Sequence, residues 1–444
     1  MDSVVLARSL FGTSMAFHII FATLGVGVPF MIVFAEICAG VTKNPDYSVM
    51  AKRWTKAQAI LLGVAIPSGT IVGVMLSLLW PGFMQIVGQV IAVPFQIEIW
   101  AFFLEALFMS IYIYAADRLS RKMRVLSVIM VSLGSAASAV LITNVHAWMN
   151  TPTGFRLAAD GQITDIHPLK AVFNPSFGVT ATHVVASAFM TGAFCVGSIA
   201  AYKLLKKNKT EREREYHRKS LHLALVVGLV CSLATAVNGH FTAQMLHQYL
   251  PLKLAAAEGL FDTTSHAPLE IFGSTNVEKQ TVTGGITIPW ALSFLATDRF
   301  DGVVRGLNDF PRELWPPLFI HTLFNLMVMI GSFLIALSMG AMFIRFALKR
   351  AYPRWLLWIV VAGGPLSVVG IETGWIFSCT GRQPWVISGV QKTADAATLS
   401  QDIGVLFGLF IGLYVLLMFI TIGVMRYYFK RKPVARELAA TEGK

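Results

Sequence analysis

The sequence predicts an all-α polytopic membrane protein with about nine transmembrane helices, its N-terminus outside and its C-terminus cytoplasmic. Three observations predict this class. Of 444 residues, 55% are hydrophobic and only 14% charged. Nine apolar runs each approach the roughly 20 residues needed to cross a bilayer. Finally, 26 of the 36 lysines and arginines fall in alternate connecting segments and the C-terminal tail, which the positive-inside rule places in the cytoplasm.

The runs cover residues 15–38, 57–80, 94–115, 125–147, 182–202, 221–240, 318–344, 355–378 and 403–425. The first resembles a signal peptide, but its flank is weakly charged and its apolar stretch outlasts an h-region of about 7–15 residues, so it reads as a retained span. Residues 1–240 hold the first six helices, joined mostly by short connections that suit antiparallel neighbours. The segment 148–181 carries the turn signals "NTPTG" and "NPSFG". Residues 241–317 form an extracytoplasmic loop whose Leu, Phe and Trp content argues against disorder. Residues 318–444 supply helices seven to nine and a basic tail. The run "KLLKKNKTEREREYHRKS" reads as a solvated helix extension, and no inverted repeat is evident. The net charge of +12 is therefore a topology signal, and nucleic acid is excluded as a partner. Cys38, Cys195, Cys231 and Cys379 have no CxxC spacing, which argues against a thiolate metal site and a disulfide framework.

The informative residues break the apolar rule. They are His18 in span one, Glu98 and Glu105 in span three, His183 in span five, Met327 in span seven and Glu372 in span eight. Glu98 and Glu105 are about two helical turns apart and share a face. By the predicted topology, His18, Glu98, His183, His321, Met327 and Glu372 gather in one layer near the outer surface, with no lysine or arginine in the spans to pair with them. An intramembrane carboxylate is a functional site by default, and a bound cation or metal becomes attractive here. A histidine near a helix end is more often a hydrogen-bonded interface residue, and methionine is more often packing. His146, His240 and His321 are read in that ordinary way. Haem uses the mixture best, since it needs one or two axial ligands and His with Met raises its potential. The residues alone leave other metals open, and no CxxCH motif exists for covalent attachment.

The segments "FHIIFATLGVGVPF", "EIWAFFLEALF", "WMNTPTGF", "KLAAAE", and above all "IETGW" followed by "GRQPW", resemble subunit I of the cytochrome bd-type quinol oxidases over nearly the whole chain. The resemblance implies a haem subunit that oxidises quinol at the outer face and reduces dioxygen to water, generating proton motive force without pumping. It also implies a second membrane subunit, subunit II, with room for a small single-helix subunit, in a bacterial cytoplasmic membrane. By this resemblance His183 and Met327 are axial ligands of a low-spin haem b. His18 and Glu372 are single ligands of a high-spin haem b and a haem d, in an order left open. Glu98 and Glu105 are catalytic carboxylates, the latter a proton relay aided by Ser135 and Ser138. Lys253 and Glu258 bind quinol, with two solvated loop charges as the alternative, and Arg382 binds a propionate. Asn325 departs from members that carry arginine there, which implies a lower haem potential or a relocated propionate contact. The rival functions are a proton-coupled secondary transporter and a haem-b electron-transfer subunit that does not reduce oxygen; the former lacks a repeat, and the latter leaves His18 and Glu372 unexplained.

Overall fold

The computed structural model describes residues 3–115, 118–159, 161–398 and 403–442. In chain order, α1 spans Ser3–Thr42, α2 Pro45–Leu79, α3 Pro81–Val90, α4 Val93–Ala115 and α5 Arg121–Asn150. A small outer hairpin follows, β1 Arg156–Leu157 with β2 Ile163–Thr164, then α6 Pro168–Val172, α7 Phe177–Leu205 and α8 Glu211–Tyr249. The long loop holds α9 Pro251–Glu258, β3 Thr264–Ser265, β4 Leu269–Asn276, β5 Thr281–Ile288, α10 Ala291–Thr297 and β6 Val303–Val304. The chain ends with α11 Ile320–Met342, α12 Arg354–Thr380, β7 Trp385–Ile387, β8 Gln391–Lys392, α13 Thr393–Ala396, α14 Ile403–Arg431 and α15 Val434–Glu442. Among the described residues, nine helices are long and apolar enough to cross a membrane: α1, α2, α4, α5, α7, α8, α11 (continued by a π turn to Ala347), α12 and α14.

Several boundaries differ from the apolar runs. Helices continue past a hydrophobic span wherever backbone hydrogen bonds can still be made, so α1 reaches Thr42 and α8 continues to Tyr249. The basic run is not one extension of a helix. α7 stops at Leu205, and α8 starts anew behind Thr210, whose hydroxyl accepts from Glu213 N while the Glu213 carboxylate accepts from Thr210 N. On the same side of the bundle, buried Asp46 ties α2 to α8 by accepting from Arg212 and from Lys219 at 2.8 Å.

Small residues decide how closely helices pack. α1 and α7 meet backbone to backbone, since a Cβ on Gly192 would lie 2.6 Å from Gly27 Cα. One apolar core joins Met31 of α1, Phe194 of α7, Leu225 of α8, Leu334 of α11 and Val360 of α12. A second surrounds α1, α2 and α14 through Phe21, Met50 and Tyr414.

The loop is ordered by its own packing. Pro at the first position starts α9, and Gly259 ends it with φ +68, a left-handed conformation that favours glycine. The Gly-broken β-prone piece forms the antiparallel hairpin of β4 and β5. Fully buried His321 of α11 joins the two, with Nδ1 2.8 Å from Ala257 O and Nε2 3.1 Å from Phe272 O. Asn325, one turn on, accepts from Phe272 N at 3.1 Å, so its side chain holds the hairpin.

Candidate functional site

The loop presses α9 against the neighbouring ends of α5, α8, α11 and α12, and a cavity of about 380 Å³ lies between them. His183, Met327, His146 and Trp375 line it beside Lys253 and Glu258. Four residues singled out from sequence, on α7, α9 and α11, thus surround one space. Its size falls in the range of small-molecule sites, roughly 300–1,000 Å³.

The tautomer of His183 follows from its neighbour. Nδ1 stands 3.1 Å from Asn238 Oδ1 of α8, an acceptor, so Nδ1 carries the proton and Nε2 keeps its lone pair. Met327 approaches α12 at Gly374, where a Cβ would sit 2.8 Å from the sulfur. Only glycine at that position leaves the thioether where it is.

His18 has the same arrangement on α1. Ser68 of α2 gives its hydroxyl proton to Ala65 O at 3.0 Å, so it accepts from His18 Nδ1 at 3.0 Å, again leaving Nε2 basic. Glu372 lies on α12 outside the lining of the cavity, and its Oε1 is buried with no hydrogen-bond partner. Glu98 accepts from Ser138 of α5 at 3.0 Å. Glu105 is 5% exposed, and its Oε1 also lacks a partner. It is walled in by Gly134 of α5, where a Cβ would meet Glu105 N at 2.9 Å. The six site residues in the spans therefore divide between the cavity, the α1–α2 face, α12 and the α4–α5 seam.

The loop charges are not solvated. Lys253 is 6% and Glu258 4% exposed. Lys253 Nζ donates to Ser378 O at 2.8 Å and Asn150 Oδ1 at 3.1 Å. Burial, then the nearby Arg382 charge, pulls Lys253 down to about 7, while burial pushes Glu258 up to about 8. Glu258 Oε2, and Nε and Nη1 of Arg382, are buried without partners. Among the described residues, Arg382 therefore retains two donor nitrogens with no acceptor, and Glu258 an acceptor with no donor.

Sequence reasoning missed the supporting residues Ser68, Asn150, Asn238 and Ser378. Each is a polar residue in or beside an apolar run, a signal that was available, but only the fold shows which side chain each orients. Of the histidines read as hydrogen-bonding residues, His146 lies 2.8 Å from Ser378 Oγ and His240 2.8 Å from Asp298.

Residues 6–433 match the family model of cytochrome bd terminal oxidase subunit I. The chain is 60% identical to a putative cytochrome bd menaquinol oxidase subunit I of Bacillus subtilis, covering all of both chains. It is 31% identical to a cytochrome bd ubiquinol oxidase subunit 1 of the same organism, over 90% of this chain and 86% of the relative. The bd oxidase structure from Geobacillus thermodenitrificans superposes with a TM-score of 0.91 at 43% identity, covering 97% of this chain and 99% of that one. The chain belongs to the cytochrome bd terminal oxidase subunit I family: it is the haem subunit of a terminal quinol oxidase, a multi-pass membrane protein that works with a subunit II.

The residues present fit haem. Two imidazoles with free Nε2 lone pairs, a thioether fixed against a glycine and an orphan carboxylate are ligand types that iron accepts. Arg382 offers the paired donors that suit a propionate.

Proposed function

We propose that His183 and Met327 would together hold a low-spin haem b, and that His18 and Glu372 would each hold one of a high-spin haem b and a haem d. Arg382 would bind a propionate. When bound, the haems would supply the stepwise electron transfer that dioxygen reduction needs. The chain's own residues do the acid–base work. Lys253, neutral above about pH 7, holds a quinol oxygen in a position fixed by Asn150 and Ser378. Glu258, once ionised, accepts the proton that quinol loses on oxidation. Glu98 and Glu105 carry protons towards the oxygen site, with Ser138 holding Glu98. Two quinols and one dioxygen give two quinones and two waters, so four electrons and four protons balance. Protons leave at the outer face and are taken up from the cytoplasm, which separates charge without a pump. The membrane is the bacterial cytoplasmic membrane, and the 60% identity to a chain named for menaquinol favours menaquinol as donor.

One observation carries this reading: the ligand pair His183 and Met327 and the quinol pair Lys253 and Glu258 line the same cavity. The test is a reduced-minus-oxidised spectrum of the purified complex. Haem b bands with a long-wavelength chlorin band support the assignment. Haem b alone would favour an electron-transfer subunit, and no haem signal would favour a transporter.

A further inference from the structure

One buried carboxylate has no part in the scheme above. Glu36 lies near the end of α1 that is predicted to be cytoplasmic, is 2% exposed, and accepts a hydrogen bond from the Tyr112 hydroxyl of α4. Its other oxygen, Oε2, is buried without a partner. Tyr112 is itself 5% exposed. Arg124 of α5 is close enough to act on Tyr112 electrostatically, and its Nε is buried and unpartnered; Thr55 of α2 touches the same hydroxyl.

The position of Tyr112 gives this cluster its meaning. Glu98, Glu105 and Tyr112 follow one another at seven-residue intervals on α4. Seven residues are about two turns, or ~10.5 Å, so the three groups form one line along the helix. Glu105 and Tyr112 are both buried on it. α5 runs antiparallel beside α4, with Ser138 against Glu98 and Gly134 against Glu105. Continuing that register inwards puts buried Ser127 level with Tyr112 and buried Ser132 between the Glu105 and Tyr112 levels. The seam is therefore studded with hydroxyls and carboxyls from the Glu98 level to within two turns of its inner end, with buried Ala101 and Met109 between them.

We propose that the Glu36–Tyr112 pair is the cytoplasmic inlet of the α4 proton line that feeds Glu105 and Glu98. Glu36 takes a proton from the inner surface and passes it to the Tyr112 oxygen as the phenol's own proton moves on towards Glu105. No electron moves and no bond other than O–H is made or broken. The proposal rests on the oxidase reading, because that reaction is what consumes the protons.

The test uses the whole complex carrying Glu36→Gln, Glu36→Asp or Tyr112→Phe. Haem spectra and anaerobic reduction of the haems by quinol should match the parent in all three. Oxygen consumption in Glu36→Gln and Tyr112→Phe should fall by about 10- to 100-fold, with a larger H2O/D2O rate ratio, and Glu36→Asp should recover part of the loss. Parent turnover and an unchanged isotope ratio in both variants would overturn the proposal. So would loss of haem from both, which would mark the pair as a structural support. If the unaltered complex consumed no oxygen with quinol, the oxidase reading itself would fail instead.

Discussion

The cavity beside α9 and the α4–α5 seam hold the same kinds of residue in opposite surroundings. Around the cavity, α9 and the helix ends stand apart and leave about 380 Å³. Along the seam, Gly134 brings α5 so close to Glu105 that even a methyl group has no room. Open volume with ligand atoms on its walls suits a bulky group. A tight seam with single orphan oxygens suits protons and occasional waters. Chemistry of this kind is thus assigned by the space around a side chain as much as by its identity.

Four changes break or sharpen that contrast, from the largest expected effect to the smallest. Glu258→Gln removes the proton acceptor at the cavity and should slow quinol oxidation by about 100-fold with haem content unchanged. The sign of its pH dependence follows from burial. Glu258 is held up to about 8, so below that pH it is mostly neutral and cannot accept a proton. Parent quinol oxidation should therefore rise from pH 6 towards about 8 and then level, whereas the glutamine variant should be flat over that interval in stopped-flow reduction. A parent rate that falls with pH would contradict this role.

Asn238→Ala frees the His183 ring from its orienting acceptor and should weaken haem retention about 10- to 100-fold, read as haem-to-protein ratio after purification. Retention equal to the parent would show that the ring is fixed by packing alone. On the seam, Gly134→Ala should leave the spectra intact but destabilise the fold by about 1–3 kcal/mol, read by thermal unfolding, because the obstructing atoms are backbone. Ser138→Ala removes the hydrogen bond that Ser138 donates to Glu98, worth about 1 kcal/mol. Turnover should drop about fivefold, and an unchanged rate would detach Ser138 from the proton line.

The sequence revealed the spans well because hydrophobic length is a local property, and a 20-residue apolar run has one outcome in lipid. It revealed less about ends and loops. The helix break at Thr210 depends on a capping pair four residues wide inside a uniformly charged run. The candidate ligands were visible as polar residues at membrane depth, but their grouping was not. His18, His183 and Glu372 share a predicted layer, and the fold puts only His183 on the cavity wall. Lys253 and Glu258 were singled out only by resemblance, with solvated loop charges as the alternative, and the docking of α9 under the β4–β5 hairpin buries them. Glu36 was passed over because it sits close to the end of its span, where a charge is cheap. Its burial comes from Tyr112, 76 positions away.

The central claim is that an iron porphyrin bridges α7 and α11 through His183 and Met327. Difference spectra of the complex carrying His183→Ala or Met327→Ala test it most directly. Each variant should lose the same low-spin b-type band and keep the remaining haem bands. A full low-spin band in both would contradict the account.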